Sequence, residues 1–327
     1  MRCTGSMNLS FSDSVLAAAD RELERRENSR PRRMYLGMSS GGRCARQQWF
    51  NWMWVAQREL DARSLRAIAD GYAGEDIAAA RIQQTPDVVL LTRDPESGEQ
   101  WAVSDAGGHV AGHLDGVVIL HPAAPKTQHV WESKVSNERL LAKFRKIKSD
   151  AGEKATLREW NHEYWVQAQL YMLHTGMTRH WTVVSSPGCR DWDSCRTELD
   201  RDQAEYFAER MRSMVANVDE LPERVSESPN AFACRFCDFT EVCHEGAAIE
   251  RNCRTCRFSK PVDGPDWMCG LDDVALTREQ QIAGCGRQRY RSALVPGEEI
   301  SVDELDVTYR LRDGREWIDG GASDRPV

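Results

Sequence analysis

Three residues near the middle of the chain have the types and spacing to work on a phosphate. Asp115 stands in GHLDG, and further on Glu132 and Lys134 flank Ser133 in WESK. Side chains of an extended segment alternate between two faces, so Glu132 and Lys134 project to one side and Trp131, Ser133 and Val135 to the other. Two carboxylates and an amine can then meet at one point. Magnesium and manganese take oxygen ligands, and carboxylates that leave water positions open hold such an ion when it must also bind a phosphate. Metal-bound water is a better nucleophile, and Lys134 can orient or deprotonate it, or stabilise developing charge.

Sulfur supplies a second kind of chemistry. Seven of the eleven cysteines fall between Cys234 and Cys285, while Cys3, Cys44, Cys189 and Cys195 are scattered upstream. Cys234, Cys237 and Cys243 have the spacing C-x2-C-x5-C, one ligand short of a closed tetrahedral set; His244 would complete it for zinc, or a distant cysteine would. Cys253, Cys256, Cys269 and Cys285 form C-x2-C-x12-C-x15-C, four soft ligands in a turn-rich stretch too small to hold a core alone, and a structural zinc ion is expected there. The same ligands suit an iron–sulfur cluster. Cys3, Cys189 and Cys195 read as free thiols.

These residues need elements to position them. Ser14 to Glu27 reads as an amphipathic lead-in helix, and YLGMSSGGRCARQQWF as a Gly- and Ser-rich turn running into an aromatic helix. A helix is expected over Ser64 to Gln83, where Gly71 and Gly74 invite a close neighbour. The period then becomes alternating, and VVLLTRD, WAVSDAGGHVAGHLDGVVIL and QHVWESKVS read as strands of a meander that puts Asp115 on one strand and Glu132 and Lys134 on the next. A charged segment, the helix NHEYWVQAQLYMLHTG, the strand HWTVVSS and a helix from Arg201 to about Val218 complete an α/β core.

Asp115 followed by Glu132-Ser133-Lys134 resembles the PD-(D/E)XK nucleases, in which an acidic residue on one strand precedes a D/E-x-K triplet on the next. Gln167 and Tyr171 match the QxxxY signature of the RecB and AddB-like branch, and at four residues apart they share one helix face. The resemblance implies a restriction-endonuclease-like mixed sheet flanked by helices. It also implies catalytic roles for Asp115, Glu132, Lys134, Gln167 and Tyr171, with magnesium or manganese held by Glu75, Asp115, Glu132 and the backbone carbonyl of Ser133. Glu75, in GYAGEDIAAARI, stands where the branch more often has histidine; Asp76 and Asp70 are the alternatives.

AddB-type and CRISPR-associated adaptation nucleases place one cysteine before the core and three after it around a [4Fe–4S] cluster, which here implies Cys44, Cys234, Cys237 and Cys243. LGMSSGGRCARQQWF is also similar to the N-terminal segment of phage-encoded exonucleases of this branch. Such a cluster closes a very long loop, which suits a stabilising role rather than a redox one.

Taken singly, each feature has an ordinary reading: a solvated strand face for Glu132 and Lys134, a surface helix for Gln167 and Tyr171, a structural role for His113. Together, and in this order, they point to a DNA nuclease. Net charge is −8 over 327 residues, so contact with DNA must be local. Arg139, Lys143, Arg145, Lys146 and Lys148, followed by Lys154 and Arg158, form a basic stretch placed to guide a phosphate backbone. Trp160 and Trp165 either stack on bases or belong to the core.

The expected organisation is a lead-in over 1–34, a nuclease domain over 35–248, a zinc-binding module over 249–290 and an acidic polar tail over 291–327. The expected activity is metal-dependent DNA hydrolysis from an end, in recombination, repair or phage DNA processing, with a recombination or single-strand-binding partner. A catalytically silent, metal-stapled DNA-binding adaptor is the rival, and a cluster-transfer protein a third reading. Without a membrane-length apolar run or the apolar core of a signal peptide, the chain is expected in the cytoplasm of a bacterial host or phage-infected cell.

Overall fold

The computed structural model describes residues 14–320, so Cys3 lies outside the described residues. Helix α1 (Ser14–Asn28) leads into strand β1 (Leu36–Gly37), the aromatic helix α2 (Ala45–Met53) and the long helix α3 (Ala62–Gln83). Strands β2 (Val89–Leu91), β3 (Ala102–Asp105), β4 (Val110–His113), β5 (Gly116–Leu120) and β6 (His129–Val135) follow. Next come α4 (Glu138–Ala151), α5 (Glu153–Trp160), α6 (His162–Thr175), β7 (Arg179–Ser185), β8 (Trp192–Glu198) and α7 (Arg201–Ala216). Polar side chains start the helices: Asp61, Asn137, Asn161 and Asp200 each accept a hydrogen bond from a backbone amide of the first turn.

The fold is a mixed α/β arrangement. Its main sheet has the order β2-β5-β6-β7-β8, antiparallel except between β6 and β7, whose parallel pairing needs the crossover that α4, α5 and α6 supply. Ala78, Ala79 and Ile82 of α3 pack with Trp131 and Val183 of the sheet. Val117, Val130 and Val184 cluster instead with Leu141, Phe144, Leu157 and the buried residues of α6.

Several expectations change. The meander is two sheets, because β4 pairs with β1 and β3 while β5 pairs with β2 and β6. The chain crosses from one sheet to the other at Leu114 and Asp115, so Asp115 sits in the break rather than within a strand. The charged segment after β6 is two helices parted at Gly152, whose φ is +84°. Strand β8 was not expected; its half-buried charged residues hide the alternation that buries Cys195 and Thr197.

Beyond α7 lie the short helix α8 (Phe232–Arg235), the three-residue strands β9 (Ser259–Pro261), β10 (Trp267–Cys269) and β11 (Val274–Leu276), and α9 (Arg278–Ala283). The stretch read as an acidic polar tail contains an antiparallel sheet of β12 (Gly297–Asp303), β13 (Asp306–Leu311) and β14 (Glu316–Asp319). Val307, Tyr309, Leu311 and Trp317 pack there with Tyr290 and Val295, an alternation masked by the acidic residues on the other face.

Candidate active site

The site lies where the pairing of β5 with β6 ends. The last paired residues are Gly116 and Trp131, so Glu132 to Val135 run past β5 while keeping β7 on the other side. Asp115 fills the gap: its Oδ2 accepts a hydrogen bond from the Ser133 amide at 2.8 Å. Alternation puts Glu132 and Lys134 on the face toward α6, as expected. The Lys134 ammonium ion-pairs with Oε1 of Glu132, and Gln167 Nε2 donates to that oxygen at 2.9 Å. Glu132 Oε2 is buried with no hydrogen-bond partner among the described residues.

Two glycines allow the closure. A methyl group at Gly74 would overlap Val135, so α3 can approach β6 closely and carry Glu75 to the pocket. A methyl group at Gly112 would overlap the Tyr171 ring, which lies across β4 and donates from its hydroxyl to the His113 carbonyl at 2.9 Å. Gly71 has open space instead. Asp115, Glu132, Ser133, Lys134, Gln167, Tyr171 and Glu75 thus line one pocket of about 370 Å³. Asp70 and Asp76 are exposed and lie outside it.

The charges are unbalanced, with three carboxylates against two cations, Lys134 and Arg33. Burial and then repulsion from Glu132 push the Asp115 carboxyl well above the usual carboxylate range. The same two causes raise Glu75. Burial alone would discharge Lys134, but Glu132 and Asp115 outweigh it and hold the amine above the usual lysine range. A divalent cation would relieve this excess of negative charge. Among the described residues no three His, Cys, Asp or Glu side chains close into a coordination set on their own.

Sequence reasoning missed three lining residues. Tyr164 places its ring centroid 4.8 Å from Lys134 Nζ. Its position three before Gln167 and seven before Tyr171 puts it on the same helix face, a signal available in the sequence. Arg33 lies over the Tyr35 ring at 5.3 Å, and the Tyr35 hydroxyl is 3.3 Å from Nδ1 of His113, which also lines the pocket. No local pattern marks that wall, because β1 reaches the site only by pairing with β4.

The basic stretch lies on α4 and α5, and none of it lines the pocket. Arg145 pairs with Asp191 at 2.6 Å, Lys148 with Asp193 at 2.7 Å, Lys146 with Asp150 at 2.6 Å and Lys154 with Glu198 at 2.7 Å. Arg139 and Lys143 are exposed. Trp165 is a core residue, and Trp160 packs against Phe144.

Both cysteine sets are gathered by the fold. Cys44, at the start of α2, lines one cavity with Cys234, Cys237, Cys243, His244, Arg46 and Arg224. Burial and then the neighbouring cysteines Cys243 and Cys44 raise the Cys234 thiol. In the second set burial, followed by Cys256, Cys285 and Cys269, pushes the Cys253 thiol up to about 12. Cys189 is buried against the Gly74 carbonyl, and burial pushes the Cys195 thiol up to about 12.

No family model and no curated protein matches the chain. Among solved structures it is similar to the protein SSO0001, at 12% identity over 72% of this chain and 98% of that one, with a TM-score of 0.41. It is also similar to an alkaline exonuclease, LHK-Exo from Laribacter hongkongensis, at 17% identity over 61% of this chain and 92% of that one, with a TM-score of 0.40. The complex of LHK-Exo with dAMP aligns at 15% identity over 57% and 89% of the two chains, with a TM-score of 0.40. Among the described residues no helix is long and apolar enough to cross a membrane.

Proposed function

We propose that this pocket is the active site of a divalent-metal-dependent deoxyribonuclease that works from a DNA end, on a restriction-endonuclease-like fold of the RecB and AddB kind. The observation that carries the reading is the convergence of Asp115, Glu132, Lys134, Gln167 and Tyr171 on one pocket, with a buried oxygen of Glu132 left unpartnered. An unpaired carboxylate oxygen beside two further carboxylates fits a cation. Glu75, Asp115, Glu132 and the Ser133 carbonyl would hold magnesium or manganese, which supplies Lewis acidity at the phosphate and an activated water.

The protein groups divide the remaining work. Lys134, ion-paired with Glu132, would donate to charge building on the phosphate. Gln167 occupies Oε1 of Glu132 and so turns Oε2 toward other partners. Tyr171 pins the end of β4 through the His113 carbonyl, just before the break that carries Asp115. Digestion of end-labelled single- and double-stranded DNA with manganese, beside Lys134→Ala, tests the reading. Wild type should digest, and the variant should lose about 10²-fold or more, the scale of a removed transition-state donor. Equal digestion by both would overturn the site; inert wild-type protein that still binds DNA would make it an adaptor.

The same reading puts a [4Fe–4S] cluster on Cys44, Cys234, Cys237 and Cys243. Their shared cavity, Arg46 Nη1 at 3.9 Å from Cys243 Sγ, and the Phe239 amide directed at Cys237 suit a site of thiolates. When bound, the cluster would staple the start of α2 to the segment after α7. Iron and acid-labile sulfide in anaerobically purified protein, lost in Cys44→Ser, test this part.

A further inference from the structure

The second cysteine set lies away from the pocket, yet the segment that carries it reaches the pocket wall. Strands β9, β10 and β11 have three residues each, too few to hold a sheet without another anchor. Their geometry converges on the cysteines. Cys253 and Cys256 close a turn through the Cys256 amide to the Cys253 carbonyl at 3.2 Å, and the Phe258 and Arg289 amides point at the Cys256 sulfur. Cys269 pairs across the sheet with Ser259, three residues beyond Cys256. Gly284, just before Cys285, packs on Asn252, just before Cys253. Two cysteine turns and one strand end are therefore neighbours, close enough for Cys256, Cys285 and Cys269 all to act on the Cys253 thiol, although the four sulfurs do not close into a coordination set by themselves. Neutral thiols have no mutual attraction to close them further, whereas a tetrahedral ion draws four thiolates to about 2.3 Å.

Between the first two cysteines stands Arg254, a fully buried arginine. Its guanidinium lies over Trp54 at 3.8 Å and Trp267 at 5.1 Å, and it donates to the carbonyls of Trp52 at 2.8 Å and Met34 at 3.0 Å. Met34 lies between Arg33 and Tyr35, both on the pocket wall. Arg278 of α9 donates to the carbonyl of Arg32 in the same segment. The cysteine module thus grips the backbone on either side of Arg33.

We propose that Cys253, Cys256, Cys269 and Cys285 hold one structural zinc ion, and that this ion keeps Arg254 seated behind the Arg33 and Tyr35 wall of the pocket. The link to activity rests on the nuclease reading; the zinc site does not. The test uses the full chain grown with both zinc and iron. Elemental analysis should find one zinc per chain, and Cys285, although exposed, should resist iodoacetamide until a chelator strips the metal, when all four cysteines label together. Absence of zinc, labelling of Cys285 in native protein at a free thiol's rate, or iron at these four cysteines would overturn the site.

Cys269→Ser should lose the zinc. Because that variant can also fail to fold, Arg254→Met serves for the second half: it should keep zinc while raising KM for DNA more than it lowers kcat. Zinc-loaded Arg254→Met with wild-type KM would overturn the coupling. A wild-type protein that carries zinc but digests no DNA would count against the nuclease reading alone.

Discussion

The carboxylate of Asp115 takes the Ser133 amide at 2.8 Å, just past the point where β5 leaves β6. A side chain there replaces a rung of the backbone ladder. The break would otherwise leave a buried donor unsatisfied, so the residue proposed to ligate the metal also closes the sheet.

Asp115→Asn and Asp115→Ala should therefore separate the two roles. Asparagine keeps an acceptor for Ser133 and loses the charge, so unfolding should stay near wild type while DNA digestion is lost. Alanine should lose digestion and also cost about 1–3 kcal/mol, the range for a buried donor left unpaired. Denaturant titration of both variants checks this, and equal stability of the two would refute the capping role.

Gly112→Ala puts a methyl group where the Tyr171 ring lies. Overpacking of this kind costs ~1–3 kcal/mol, and displacement of Tyr171 should reduce activity as well. Tyr171→Phe keeps the ring and removes only the hydroxyl bond to the His113 carbonyl, so it should lose roughly 0.5–1.5 kcal/mol. Thermal melts of the two variants should rank in that order.

Tyr164 supports Lys134 through its ring face at 4.8 Å. Tyr164→Phe should retain most activity, and Tyr164→Leu should lose about tenfold, matching ~1–2 kcal/mol for a desolvated cation–π contact. Initial rates of digestion measure it; identical rates for Phe and Leu would show that the ring does not matter.

Stability should fall in mild acid because of two histidines buried in the main sheet. Burial and then His121 lower His129 to about 4, and burial and then Lys134 lower His180 to about 3. The unfolded chain takes up these protons near pH 6.5 and the native one does not, so stability is full above that pH. It then drains as pH falls toward 4 and 3. For His129 the total is roughly 3 kcal/mol. Unfolding free energy followed from pH 7.5 to 4 should decline, and His129→Gln should flatten the slope; an unchanged slope would remove His129 as the cause.

Much of the site was legible because its signals are local. Strand alternation alone placed Glu132 and Lys134 on one face, and four-residue spacing on a helix placed Gln167 with Tyr171. Other parts were hidden for physical reasons. Strand β8 and the sheet β12-β13-β14 carry charged residues that disguise a buried stripe. The wall of Arg33 and Tyr35 carries no periodic signal at all, since it joins the pocket through pairing of β1 with β4.

The amino-acid sequence by itself determined that β6 and α6 are strand and helix and which side chains share a face on each, because covalent geometry sets those periods. Only the tertiary structure decided that the chain would change sheets at Asp115, leaving a carboxylate to take the Ser133 amide. Packing also brought Glu75 to the pocket and left Asp70 and Asp76 exposed, since Gly74 lets α3 close on Val135 and the rotation of about 100° per residue turns Asp76 away from it. The same packing engaged Arg145 and Lys148 with acidic residues flanking and within β8. Such choices depend on which distant segments meet, and distance in space follows burial and pairing rather than distance along the chain.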